Sequence, residues 1–245
     1  MRYFDSSGHS RHVVTGLLVL ILTVFAVRPI GAAADADHQV CNATADYFLG
    51  NEDYPETARL HRLFIAEHPN DALAHYHLGY AEGMMGQSSD ELDQYQTAVR
   101  LGLRDWGLYL NLGRVHLEQG QLGPATSAFQ SAVALGPEHA EAHFNLGLAY
   151  ERQGNLSAAA TELTQSLALD PSQSDARNML AVVDAEQGNY HAAQVIWAEL
   201  IRSQPNFAPA QANLAILETT LKQRTAGSAA LSARSFQSAS ASGPR

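Results

Sequence analysis

A leucine returns every 34 residues along the middle of this chain, at Leu78, Leu112, Leu146, Leu180 and Leu214. A small residue follows each one: Gly79, Gly113, Gly147, Ala181 and Ala215. Large apolar residues keep the same interval at Tyr95, Phe129, Leu163 and Trp197, and glycines keep it at Gly86, Gly120, Gly154 and Gly188. Pro69, Pro137, Pro171 and Pro205 mark the period, with Leu103 in the remaining slot. An interval of this size specifies stacked helix pairs. The leucine lies on the buried stripe of a first helix, where full burial stabilises by about 1.5–3 kcal/mol per side chain. Its small neighbour lets a second helix approach closely, and the later glycine ends the first helix in a left-handed turn. The large residue fills the space around the second helix, which proline then stops. Where Leu103 replaces proline, Gly102 supplies the break.

The rows predict helices at 38–50, 54–67, 72–85, 89–101, 106–119, 122–135, 140–153, 156–169, 174–187, 190–203 and 208–222. The repeats are 38–71, 72–105, 106–139, 140–173 and 174–207, followed by a capping helix at 208–222. Gln211, Glu218 and Lys222 give that cap a polar outer face. In the third repeat the rows read Tyr109, Leu112-Gly113, His116, Gly120, Ala125, Phe129, Ala132 and Pro137. The fourth keeps Leu146-Gly147, Tyr150, Gly154, Ala159 and Pro171. This pattern resembles the tetratricopeptide repeat family over residues 38–222. Repeat one is degenerate, with Cys41, Thr44 and Ala45 at motif positions, as terminal repeats often are. Repeat two carries Glu91 where the family has a small alanine. The resemblance implies an all-α, right-handed superhelical solenoid of antiparallel helix pairs, about 5.5 repeats long.

The two ends differ from the repeats. Arg2 and Arg11 precede an apolar run from Val13 to Val27, then Arg28-Pro29 and Gly31-Ala32-Ala33-Ala34. This is the layout of a secretory signal peptide, with cleavage expected before Asp35. The alternative is an uncleaved signal anchor. Its 15 largely apolar residues would span roughly 22 Å, short of a hydrocarbon core of about 30 Å. Either reading puts the repeats outside the cytoplasm, in the periplasm or the extracellular space. Residues 223–245 hold three arginines and no acid among serines and alanines, and read as a disordered tail.

Charge narrows the partners. The chain has 15 Lys+Arg against 25 Asp+Glu, a formal net of −10. Without residues 1–34, the balance is 12 basic to 24 acidic. This argues against nucleic acid, which needs clustered basic residues. Lys222 is the sole lysine, so no Walker-type phosphate loop exists. The single cysteine, Cys41, allows no intrachain disulfide, and no lipobox precedes it.

Candidate chemistry mostly resolves into packing. His75 and His77 are two apart on one helix and face away from each other. His75 and His143 share a packing position, His116 fills a tyrosine position, and His61 and His191 read as surface residues. Linear spacing shows neither H-E-x-x-H nor a Cys/His cluster. The expectation is therefore no metal, no cofactor, no catalytic residue and no enzyme.

In the family, first-helix residues line a concave face. Transferred to this chain, that face offers Tyr76, Tyr80, Met84, Leu110, Arg114, Leu117, Phe144 and Leu148. The resemblance implies a groove for a partner helix or extended peptide. A family branch that captures C-terminal carboxylates needs Lys, Asn and Arg at positions held here by Tyr76, Tyr80, Asn111, Glu141 and Asn145, and Glu141 would repel that ligand. The expected role is an exported protein–protein interaction scaffold, with membrane contact only through an uncleaved leader. The alternative is an accessory or specificity subunit of a cell-envelope enzyme or assembly machine of the pilus, outer-membrane or cytochrome type.

Overall fold

A computed structural model describes residues 41–240. The expected leader and its cleavage site lie outside the described residues, as do the last five residues of the expected tail. The described residues are all-α, with no strand among them. Eleven helices follow one another: α1 (Ala43–Gly50), α2 (Tyr54–Glu67), α3 (Ala72–Met84), α4 (Ser88–Arg100), α5 (Trp106–Glu118), α6 (Leu122–Leu135), α7 (Ala140–Arg152), α8 (Leu156–Leu169), α9 (Ser174–Glu186), α10 (Tyr190–Ser203) and α11 (Ala208–Ser240).

Two expected boundaries differ by more than one residue. α1 starts at Ala43, because the Asn42 side chain accepts hydrogen bonds from the Thr44 and Ala45 amides and caps the helix there. α11 runs on to Ser240, past the expected end at 222. Residues 223–240 contain no proline and several alanines, and the one glycine, Gly227, costs only about 1 kcal/mol, so the helix continues. No helix among the described residues is long and apolar enough to cross a membrane.

These helices form two compact units, one holding α1–α8 up to residue 172 and the other holding α9–α11 from residue 173. In the first, α1 packs on α2, α3 on α4, α5 on α6 and α7 on α8, and each pair also meets the next. In the second, α10 packs between α9 and α11.

The sequence rows map onto this packing. Tyr95, Phe129, Leu163 and Trp197 are all fully buried or within 1% of it. A Cβ on Gly79 would stand 2.8 Å from the Tyr95 ring, and one on Gly147 2.9 Å from Leu163. Each small residue therefore makes room for the large residue of its own repeat. Leu78, Leu112 and Leu146 are buried in the first unit. In the second unit Leu180 and Leu214 are half-buried, and the α9 stripe instead uses Met179, Val182 and Val183. The turn glycines sit at positive φ, and Gly102, at φ 95°, does so where proline is missing. Their repeat-one counterpart is Glu52, at φ 61°, a costly conformation for a residue with a side chain.

Candidate functional site

The residues expected to line the groove all lie in the α1–α8 unit, on α3, α5 and α7. Packing takes up most of them. Tyr76, Tyr80, Leu110, Leu117 and Leu148 are each at most 8% exposed. The Tyr76 hydroxyl accepts a hydrogen bond from Asn111 Nδ2 at 3.4 Å, which ties α3 to α5. Gly107 lacks the Cβ that would press on that hydroxyl. The Tyr80 ring meets Tyr54 of α2 edge-on at 6.2 Å, and burial raises its hydroxyl pKa. Met84, Arg114 and Phe144 are half-buried and keep surface toward solvent. Arg114 also donates to Asn111 Oδ1 at 3.3 Å.

Beside this strip, Glu91 of α4 occupies the position where the family has alanine. A Cβ on Gly83 would overlap its carboxylate, so that glycine is the space Glu91 requires. Burial pushes the Glu91 carboxyl up to about 7, helped by Glu118 and Glu82 and opposed by a Tyr95 hydrogen bond and Arg114. Its folded pKa therefore lies above its unfolded value, and the native state holds the proton more tightly. That stabilisation is complete below about pH 4.5 and is lost as pH rises toward 7. Glu91→Gln should thus raise Tm at pH 8 by about 2–6 °C, allowing for solvent screening of this half-buried group, and leave it unchanged at pH 4.5. Thermal melts of both proteins across that range provide the check, and an equal gain at both pH values would contradict the assignment.

Two histidines perform matching structural work. His75 Nε2 donates to the Pro69 carbonyl at 3.1 Å, and His143 Nε2 donates to the Pro137 carbonyl at 3.0 Å. Their Nδ1 atoms meet Gln94 and Glu162, each at 2.7 Å. Each ring thereby ties a first helix to the proline before it and to the helix after it, as their shared packing position predicts.

His61 departs from expectation. It is fully buried, not a surface residue. The period itself places it there, because position 61 lies 34 residues before Tyr95 on the large-residue row. A Cys/His cluster also exists that linear spacing does not reveal. Cys41, Asp46, His61 and His77 bring one ligand atom each to within 4.8 Å of all the others. Cys41 Sγ lies 3.4 Å from His61 Nε2, 3.5 Å from His77 Nδ1 and 3.7 Å from Asp46 Oδ1. Asp46 Oδ1 lies 2.7 Å from His77 Nδ1 and 3.4 Å from His61 Nε2. Burial and the Asp46 carboxylate push the Cys41 thiol up to about 12. For Asp46, its close contacts with His61 and His77 outweigh the opposing effect of burial and hold the carboxyl well below the usual range. The expectation of no Cys/His cluster rested on linear spacing, and the fold brings these four residues together across α1, α2 and α3.

Comparison with known proteins agrees with the helix-pair architecture. Tetratricopeptide repeat family models match residues 110–176 and 150–217. No curated protein matches the sequence significantly. Among solved structures, a tetratricopeptide repeat protein from Parabacteroides merdae is 20% identical, with a TM-score of 0.65 over 76% of this chain and 74% of that one. YrrB, described as a TPR protein with an unusual peptide-binding site, is 23% identical, with a TM-score of 0.63 over 68% of this chain and 86% of its own. MamA from Desulfovibrio magneticus is 21% identical, with a TM-score of 0.61 over 66% and 93%. At these identities the likeness is one of fold. Residues 110–217 of this chain thus match tetratricopeptide repeat models.

Proposed function

We propose that this protein is an exported scaffold that binds a partner helix or extended peptide over the first helices of its repeats. The observation that carries the reading is the division of labour on α3, α5 and α7. Tyr76, Tyr80, Leu110, Leu117 and Leu148 form a packed floor, while Met84, Arg114 and Phe144 stay partly exposed on the same helices. A floor fixed by packing lowers the ordering cost of association, and exposed aromatic and arginine side chains are common binding anchors. Tetratricopeptide repeats serve generally as interaction scaffolds, and YrrB, of similar fold, is described by its peptide-binding site. The acidic balance of the chain favours a protein ligand over nucleic acid.

The test separates floor from rim. Arg114→Glu combined with Phe144→Ala should keep the helical melt and lower crosslinked-partner recovery from intact cells by about tenfold or more. Leu63→Ala, on an exposed α2 residue, should leave recovery unchanged. Unaltered recovery in the folded double variant would remove the groove from the proposal. Export is tested separately by sequencing the mature N-terminus, expected at Asp35; a start at Met1 would leave only the anchored alternative.

A further inference from the structure

We propose that Cys41, Asp46, His61 and His77 form a structural site for a tetrahedral divalent transition-metal ion of the zinc type, which staples the first repeat. The inference is independent of the groove and of export.

The geometry suits one central ion. Zinc bonds of about 2.0–2.1 Å to nitrogen and oxygen and about 2.3 Å to sulfur set ligand-to-ligand edges of about 3.3–3.6 Å in a tetrahedron. Four of the cluster's edges lie between 3.4 and 3.7 Å. The His77–Asp46 edge, 2.7 Å, is a hydrogen bond; a tetrahedral ion would open it by about 0.6 Å and displace its proton.

The surroundings orient the donors. His61 Nδ1 lies 3.1 Å from the Thr57 carbonyl, which can only accept, so Nδ1 carries a proton. In the neutral ring, Nε2 is then a lone pair aimed at Cys41 and Asp46. An imidazole held by a backbone carbonyl on its far side is the usual support for a metal-ligating histidine. Without a cation, that lone pair accepts from the Cys41 thiol at 3.4 Å, and Asp46 Oδ1 at the same distance is a second acceptor. A thiolate and a carboxylate would together balance the charge of a divalent ion. Two imidazoles, one thiolate and one carboxylate make a borderline donor set that favours zinc over calcium or magnesium. His61 seals the inner side at 0% exposure, while Asp46 and His77 are 21% and 17% exposed and leave a way in.

The repeat plan supplies a reason for the site. His61 stands where later repeats bury Tyr95, Phe129, Leu163 or Trp197. α1 has only eight residues, and only Ala45 on it is buried. A metal would replace the apolar filling that this terminal pair lacks, and its binding free energy would become folding free energy.

The test uses the full chain after chelation. Zinc titration should give one site per chain and raise Tm by about 5–10 °C at saturation. Cobalt should give the visible absorption of a tetrahedral ion, with a thiolate charge-transfer band. Because His61→Ala removes a fully buried side chain and destabilises the fold in its own right, Cys41→Ser and Asp46→Asn are the deciding variants. Cys41→Ser should abolish the charge-transfer band, and each should weaken zinc binding at least about 10–100-fold. His191→Ala, at an exposed residue, should change nothing. Absence of one-to-one zinc binding in the unaltered chain, or binding that survives both deciding variants intact, would overturn the proposal.

Discussion

Replacing Trp197 by alanine should cost residues 173–240 about 4–5 kcal/mol, the largest effect of any single truncation there. The indole is fully buried, so its removal leaves a cavity among α9, α10 and α11. A second loss adds to the first. Trp197 Nε1 donates to Asn178 Oδ1 at 2.9 Å, and Asn213 Nδ2 donates to the same oxygen at 3.0 Å. These groups link one buried side chain from each of three helices. Trp197→Phe should retain much of the packing while breaking the hydrogen bond, and should cost about 2 kcal/mol. Denaturation followed by circular dichroism measures both costs, and hydrogen exchange should show the loss of protection concentrated in α9, α10 and the start of α11. A loss below about 1 kcal/mol for Trp197→Ala would mean that the helices collapse around the missing ring.

The second large effect is a coupling between Phe129 and Gly113. Phe129→Ala should destabilise the α1–α8 unit by about 3–5 kcal/mol, since the ring is fully buried. Gly113→Ala would ordinarily stabilise a helix interior by about 1 kcal/mol. Here the added methyl would stand 2.5 Å from the Phe129 ring, and overpacking of about 1–3 kcal/mol should reverse the sign. Once Phe129 is alanine, the same methyl has space and the helix preference returns. The double variant should therefore be more stable than additivity predicts by about 1–3 kcal/mol. Additive costs in urea denaturation would show that the close approach is relieved by backbone movement.

These two predictions show how directly periodicity reports packing. Glycine at 113 and phenylalanine at 129 recur in register with Gly79 and Tyr95, and with Gly147 and Leu163. The contact between them was legible before any coordinates because it is made within one repeat. Helix ends were legible to within a residue wherever glycine or proline enforces them, and less so where a cap or simple helix preference decides, as at Ala43 and Ser240. The groove was legible as a set of positions but not as a surface. Exposure of Tyr80 depends on Tyr54 in the preceding helix pair, and no spacing rule states how fully that neighbour covers it.

The sequence by itself determined the repeat length, the helix pairs and the histidines that serve packing, because those interactions are local and repeat in register. It also contained the clue to His61, whose place on the buried row follows from the same interval. Only the tertiary structure decided what His61 faces. Cys41, Asp46, His61 and His77 meet because three helices of an atypical first repeat and its neighbour converge. Their separations along the chain match no short ligand motif. Convergence of that kind is set by packing across helices, where a period along the chain carries no information.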